Sequence, residues 1–177
     1  LVAAKQHDSL QEMIVIAAFM GIADPRERPA DAKQAADTAH RQFADSGSEF
    51  LAVIRLWRAY RQMHEELSQS QLRKWCERNF LSYLRMREWR ELHRQLLITA
   101  RELQWPLPEW PDIEARLEAA AQDTKAAARH YQQIHRAVLA GLPTQIGHKN
   151  DKGLYDGPRQ RRFAIFPASP LAGQLPN

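Results

Sequence analysis

The stretch WCERNFLSYLRMREWRELHRQ, residues 75–95, contributes more than any other to the fold that the sequence predicts. It combines aromatic residues, the only cysteine of the chain and five arginines. Apolar residues recur in it and on its flanks near helical spacing, namely at Leu72, Trp75, Cys76, Phe80, Tyr83, Leu84, Met86, Trp89, Leu92, Leu96 and Leu97. We predict two helices joined by a kink or short loop near residues 79–85, rather than one continuous helix.

The aromatic side chains of this stretch are predicted to pack into a core. Trp75, Phe80 and Trp89 fit that role better than the role of platforms on which bases stack. Cys76 follows Trp75 in the same apolar stripe, which indicates a small core residue rather than a nucleophile. A single cysteine excludes an intramolecular disulfide and is typical of the reducing cytosol, so we expect a cytoplasmic protein.

The chain before this stretch is predicted to be helical. The run MIVIAAFM, residues 13–20, is apolar on nearly every side, which predicts a buried central helix. Ser9 and Glu12 have the spacing of a capping box at its start. The turn ADPRERP, residues 23–29, separates it from predicted helices at residues 30–44 and 49–67. The apolar run is far below the roughly 20 residues that span a bilayer, so we expect no membrane partner.

The chain after this stretch changes character twice. The prolines of WPLPEWP, residues 105–111, end the helix. The alanine-rich residues 112–141 favour helix, with a partly exposed middle at residues 119–128 and Gly141 just past the end. Two short strands are predicted at residues 145–147 and 162–166, which is too little chain for a complete β-barrel. The predicted fold class is mainly α, with a helical bundle followed by a short, incomplete β segment.

Positive charge is concentrated in the middle of the chain. The net charge is only +4, but residues 51–102 hold eleven Arg or Lys against six Asp or Glu, and ten of the eleven are arginine. Arginine presents a planar fork of donors that suits phosphate. Composition leaves two interpretations open, a solvated helical face or a surface that contacts a nucleic-acid backbone.

The sequence contains none of the common catalytic motifs. It has no glycine-rich phosphate loop, no HExxH, no CxxC and no G-x-S-x-G. Its seven histidines are dispersed, and His130 and His135 fall on different faces of a helix. The adjacent Glu65 and Glu66 are typical of a solvated surface. We therefore expect no catalytic residue, no metal ligand and no cofactor in this chain.

Several motifs, taken in chain order, resemble one family. They are DPRERP (24–29), AADTAHRQFAD (35–45), SEFL (48–51), WCERNFLSYLRMREW (75–89), ELHRQL (91–96), IHRAVLAGL (134–142), QIG (145–147) and RRFAIFPASPL (161–171). Together they closely resemble the region C-terminal to the motor of DEAH-box RNA helicases, in the bacterial HrpA-like branch. The resemblance covers nearly the whole chain. Residues 166–169 keep only part of the family's His-Pro-Ser-Ser-like run.

The resemblance implies a domain organisation. Residues 1–7 would be the tail of a winged-helix domain, 8–107 a helical ratchet (helicase-associated) domain, 108–139 connecting helices and 140–177 the beginning of an OB-fold. In the family, two RecA-like motor domains lie N-terminal to this region and bind ATP and Mg. We expect those domains to be partners of this segment. Because the ATPase motifs are absent here, we expect this chain to be inactive alone while belonging to an ATP-dependent enzyme.

The resemblance also implies a path for RNA. In the family, single-stranded RNA passes between the motor domains and a floor made by the ratchet and OB domains, so we expect RNA, or another nucleic acid, as a partner. The RNA-binding residues that we predict form two groups, Arg28, Asn79, Ser82, Arg85 and Arg87 in the helical part and Arg159, Arg161 and Arg162 in the β part. The alternative for the helical group is that Arg87, Arg90 and Arg94 pair with Glu88 and Glu91 and only solvate a helix.

A second class of function competes with the helicase interpretation. An arginine-rich helical module with no enzymatic role would bind a protein partner, through the exposed helix at residues 119–128 or through a strand edge. An apolar surface patch would favour that class, whereas a strip of arginines would favour nucleic acid.

Overall fold

The computed structural model describes residues 1–167 and 169–173, and these residues form eight α-helices followed by a small sheet. The helices are α1 (Val2–Gln6), α2 (Leu10–Met20), α3 (Lys33–His40), α4 (Glu49–Glu66), α5 (Gln69–Arg78), α6 (Tyr83–Glu102), α7 (Trp110–Gln122) and α8 (Thr124–Gly141). The predicted fold class, mainly α with a short β segment, is confirmed. Ala168, part of the run at residues 166–169, lies outside the described residues.

The chain divides into two compact units. The arginine-rich unit consists of Ile14–Ala44 and Phe50–Leu107, and the α7–α8 unit consists of Leu1–Met13, Asp45–Glu49 and Pro108–Asn177. The domain boundaries predicted after residues 7, 107 and 139 remain predictions.

Trp89 of α6 is the centre of the core of the arginine-rich unit. Its side chain is fully buried. Its ring lies 4.8 Å from that of Trp57 and 5.1 Å from that of Phe19, measured between centroids. Its indole N–H donates to the backbone oxygen of Val15 at 3.0 Å. The prediction of a buried apolar α2 is confirmed, and α6 is tied to it by both apolar packing and a hydrogen bond.

The predicted break within the quoted stretch is also confirmed. Helix α5 ends at Arg78 and α6 begins at Tyr83. Phe80, between them, has a φ of 52°, a left-handed conformation that stops a helix. Trp89 and Cys76 are fully buried as predicted, whereas Trp75 and Phe80 are only half-buried.

The α7–α8 unit is built on a pair of helices that packs together with α1. Ile113 of α7 and Ile134 of α8 are fully buried. The alanine-rich run is interrupted at Asp123, whose carboxylate accepts hydrogen bonds from the first N–H groups of α8, those of Lys125 and Ala126. The loss of helical geometry at Asp123 is therefore compensated by a cap.

The predicted capping box at the start of α2 is wrong. The backbone N–H of Ser9, which Glu12 would have accepted, donates instead to the backbone oxygen of Ala4 at 3.0 Å. The Glu12 carboxylate is buried, with Oε1 3.3 Å from His130 Nε2 and 3.5 Å from Arg116. A carboxylate removed from water requires charged or hydrogen-bonding neighbours, and the long-range partners supply them.

The β segment differs from its predicted strands. The strands are β1 (His148–Lys149), β2 (Tyr155–Asp156) and β3 (Arg162–Phe163), and they form an antiparallel sheet in the order β1-β2-β3. The predicted residues 145–147 precede β1, and β3 covers only the first two of the predicted residues 162–166. The Phe163 ring lies so close to Gly147 that a Cβ there would collide with it. That ring stacks on Tyr155 at 5.6 Å between centroids, and Tyr155 is buried.

Two helix ends also differ from prediction. Within residues 30–44 the α-helix covers only Lys33–His40 and is followed by a 3-10 turn at Arg41–Phe43. Gly141 is the last residue of α8 rather than the residue beyond it.

Replacement of Trp89 by alanine tests the role of this side chain in the core. We expect Trp89→Ala to lower the free energy of unfolding by about 3–5 kcal/mol, because a large buried ring is lost and a cavity remains. Leu84→Ala on the same helix, 62% exposed, is the control and should change it by less than about 0.5 kcal/mol. Chemical denaturation measures both, and equal losses would contradict the assignment.

His93 should make stability depend on pH. Burial, helped by the charge of Arg61, lowers the pKa of His93 from 6.5 to about 4. Between these values the unfolded chain binds a proton that the folded chain does not, so stability is fully present above pH 6.5 and falls as the pH approaches 4. The whole loss should be roughly 3 kcal/mol. Denaturation of the native chain and His93→Phe across this range should give a flatter profile for the variant; parallel profiles would refute the effect.

Cys76 should be inert in the folded protein. Burial raises the pKa of its thiol to about 12, so the reactive thiolate is scarce near neutral pH. We expect a thiol reagent to modify the native chain only as fast as the chain opens, and the denatured chain at the rate of a free cysteine. Fast modification of the native chain would show that the thiol is accessible.

Candidate nucleic-acid interface

The turn at residues 23–29, which we call the proline turn, carries two arginines and two carboxylates and is hydrogen-bonded to the connection between α5 and α6. The backbone N–H of Glu27 donates to Phe80 O at 2.8 Å, and that of Ser82 donates to Pro25 O, also at 2.8 Å. Arg26 and Leu81 form an antiparallel bridge between these two bonds. The turn and the start of α6 therefore present one continuous surface.

Arg85 lies on this surface. Its Nη1 donates to the backbone oxygen of Asp24 at 2.9 Å. Burial raises the pKa of the Asp24 carboxyl, but hydrogen bonds and charge from Arg26 outweigh burial and hold the pKa below its usual value. Asp24 is thus ionised near neutral pH and paired with Arg26 rather than with Arg85.

Arg28 lies on the same turn but is already paired. Its Nε and Nη2 donate to the two carboxylate oxygens of Asp37 at 2.7 and 2.8 Å. Both side chains are more than a third exposed. A solvent-exposed pair of this kind contributes little to stability, so a phosphate can exchange with the carboxylate.

Asn79 and Ser82 differ in how far the fold uses their side chains. The Asn79 amide donates to Trp75 O at 2.8 Å, and its oxygen accepts from Gln42 at 2.7 Å. Ser82 precedes α6 at the N-cap position, and its hydroxyl makes no capping hydrogen bond. Of the two, Ser82 is the better candidate for a ligand contact.

Arg87 does not share this surface. It follows Arg85 by two positions, which places it about 200° further around α6. Its guanidinium lies 6.0 Å from the centre of the Tyr83 ring. The structure therefore brings Arg28, Asn79, Ser82 and Arg85 together and places Arg87 on another side of the helix. Of the alternative charge pairs, Arg94 meets Glu91 at 2.6 Å.

The three arginines of the β part are exposed. Arg162 pairs with Asp156 across the hairpin at 3.0 Å and remains 71% exposed. Arg159 lies in the 3-10 turn Pro158–Gln160 with a φ of 58°. Arg161 follows this turn, and its backbone oxygen accepts a hydrogen bond from the backbone N–H of Gly157. They lie close together in sequence around one turn.

Sequence reasoning missed a contact between Ser48 and His135. Ser48 Oγ lies 2.9 Å from His135 Nε2, and His135 Nδ1 lies 2.7 Å from Tyr131 O. Burial lowers the pKa of His135 more than the bond to Tyr131 raises it, which favours the neutral ring. This resembles a nucleophile and base, but Ser48 is only 2% exposed. A hydroxyl so buried serves the fold. No sequence signal joins residues so far apart.

Two kinds of site are absent from residues 1–167 and 169–173. No group of three or more His, Cys, Asp or Glu side chains in this part could hold a metal ion. None of its helices combines the length and apolar character needed to cross a membrane.

Comparisons with known proteins find relatives that match nearly the whole chain. The chain is 38% identical over 177 residues to the ATP-dependent RNA helicase HrpA homolog of Haemophilus influenzae, which is 99% of this chain and 12% of that protein. It is 37% identical over 174 residues to ATP-dependent RNA helicase HrpA of Escherichia coli K12, which is 98% of this chain and 12% of that protein. The chain therefore spans about an eighth of the length of these relatives. No protein-family model matches the chain.

Proposed function

Because this chain is homologous to HrpA-type ATP-dependent RNA helicases over nearly its whole length, we propose that it is the part of such an enzyme that supports single-stranded RNA. The nucleic acid would contact the surface formed by the proline turn and the start of α6. The whole enzyme would hydrolyse ATP, and this segment would guide the strand during translocation and unwinding.

The hydrogen-bonded attachment of the proline turn to the start of α6 is the observation that carries this proposal. Binding that does not depend on base sequence needs donors for phosphate and sugar at fixed positions, and it does not read base edges. Ser82 is positioned by the hydrogen bond from its backbone N–H to Pro25 O, and Arg85 by the hydrogen bond from its guanidinium to Asp24 O. Arg28 adds an exchangeable guanidinium. Arg159, Arg161 and Arg162 would form a second contact for the same strand.

The chemistry of ATP is proposed to lie elsewhere in the enzyme. The 177 residues contain no phosphate-binding loop. We propose that RecA-like motor domains bind ATP and Mg and that this chain associates with them as ratchet and partial OB-fold. A cytoplasmic location and a DEAH motif in the motor remain predictions.

The protein-interaction alternative receives less support. Residues 119–128 are mainly exposed, but they read AAAQDTKAAA and contain no large apolar side chain. The end of α7 and the start of α8, which these residues form, lack the apolar patch that marks protein interfaces.

Replacement of Arg85 by alanine tests the proposal. We expect Arg85→Ala to weaken binding of a single-stranded RNA and to reduce the slope of log K against log salt by about 0.7, the value for one lost phosphate contact. Fluorescence anisotropy at several salt concentrations measures both quantities.

Arg101→Ala is the matched control, because it removes the same charge from an exposed position in the last turn of α6. It should leave the slope nearly unchanged. If Arg85→Ala folds normally and retains the native slope, Arg85 does not contact phosphate and the proposed surface is wrong.

A further inference from the structure

A small cleft lies between the end of α4, the start of α5 and the first half of α6. We call it the Tyr83 cleft, and its lining includes Tyr60, His64, Gln69, Tyr83, Arg87 and Arg90. Its volume is about 220 Å³. Pockets for drug-sized ligands have roughly 300–1,000 Å³, so this cleft suits a small group.

The cleft is positively charged. Arg87 and Arg90 belong to its lining, and none of the described lining residues is a carboxylate. A third guanidinium, that of Arg73, lies 5.3 Å from the centre of the Tyr83 ring. The nearby carboxylates are occupied, since Glu65 pairs with Arg61 at 3.0 Å and Glu91 pairs with Arg94 at 2.6 Å. Arg87 and Arg90 therefore bring two positive charges to the lining of the cleft.

His64 supplies a hydrogen-bonding group. Arg90 Nη1 donates to His64 Nε2. Burial and the charge of Arg90 both lower the pKa of His64, so the ring is neutral near neutral pH. With Nε2 as acceptor, the ring proton is on Nδ1, where it remains a donor. The contact also limits the rotation of the Arg90 guanidinium.

Tyr60 gives the independent indication of a ligand. Its side chain is 1% exposed, and its hydroxyl has no hydrogen-bond partner among the described residues. Burial raises the pKa of Tyr60 to about 12, and the positive charges of Arg90 and Arg87 partly oppose that rise. A buried hydroxyl without a partner is uncommon and requires an explanation.

We propose that the Tyr83 cleft binds a phosphate group, with Arg87 and Arg90 as charged donors and His64 and Tyr60 as neutral donors. Guanidinium forks match the oxygen geometry of phosphate, and the neutral donors complete its hydrogen bonding. The site goes beyond the proposed RNA surface, because phosphate binding here requires neither Arg85 nor the proline turn. The phosphate belongs either to a nucleic-acid strand or to a free ion.

The experiment is a titration of the 177-residue chain with inorganic phosphate, followed by NMR of the His64 ring and the arginine side chains. We expect the His64, Arg87 and Arg90 signals to shift together. The double variant Arg87→Gln, Arg90→Gln should bind phosphate roughly tenfold more weakly or worse. Tyr60→Phe, which removes only the hydroxyl, should weaken binding several-fold. Arg101→Gln removes an equal charge from α6 outside the cleft and should change affinity less than about twofold.

A second arm identifies the source of the phosphate. One RNA oligonucleotide is titrated with a 5′-phosphate and with a 5′-hydroxyl, beside inorganic phosphate. Cleft shifts with RNA alone assign the site to the strand, and shifts with inorganic phosphate assign it to the free ion; either supports the proposal. Failure of the RNA surface is distinguishable from failure of the cleft, because inorganic phosphate tests the cleft alone and the salt slope of Arg85→Ala tests the RNA surface alone.

The proposal is overturned if neither probe shifts the cleft signals, or if the double variant binds as tightly as the native chain. Arg90→Lys guards against a misfolded double variant, since it retains charge but loses the fork. It should bind with intermediate affinity. Native affinity in Arg90→Lys and Tyr60→Phe together would also refute the assignment.

Discussion

The hydrogen bond from the Trp89 indole to Val15 O, with the aromatic packing around it, fixes the position of α6 on α2. The rest of the arginine-rich unit depends on that position. Met86, Trp89 and His93 recur at i, i+3 and i+7 and face the core. Arg85 then emerges on one side of this stripe, and Arg87 and Arg90 emerge on the other. One buried stripe thus presents two basic surfaces in different directions.

The sequence predicted the features that depend on neighbouring residues. Apolar spacing identified Trp89 and Cys76 as core, and the break between α5 and α6 followed from the interrupted pattern near Asn79. The family resemblance agreed with the relatives found by comparison. These features follow from periodicity and local backbone preference, which a single sequence displays directly.

What could not be predicted depends on partners far apart in the chain. Glu12 and His130 are separated by 118 positions, and neither residue indicates the other. The same holds for Arg28, because no local pattern indicates its pairing with Asp37, nine positions away. The strands were misplaced because each is two residues long, too short for alternation to define a register. Whether an arginine is free is a tertiary property that composition does not contain.

The backbone oxygen of Phe80 accepts two hydrogen bonds, one from the backbone N–H of Glu27 and one from the ring Nε2–H of His40. It does so from a left-handed residue, a conformation that is costly for an aromatic side chain. Because one carbonyl serves both contacts, rotation of that peptide would break one hydrogen bond of the proline turn and one of α3 at the same time. The α5–α6 connection therefore couples the proline turn to α3 through a shared acceptor, beside the Arg28–Asp37 pair that joins the two directly.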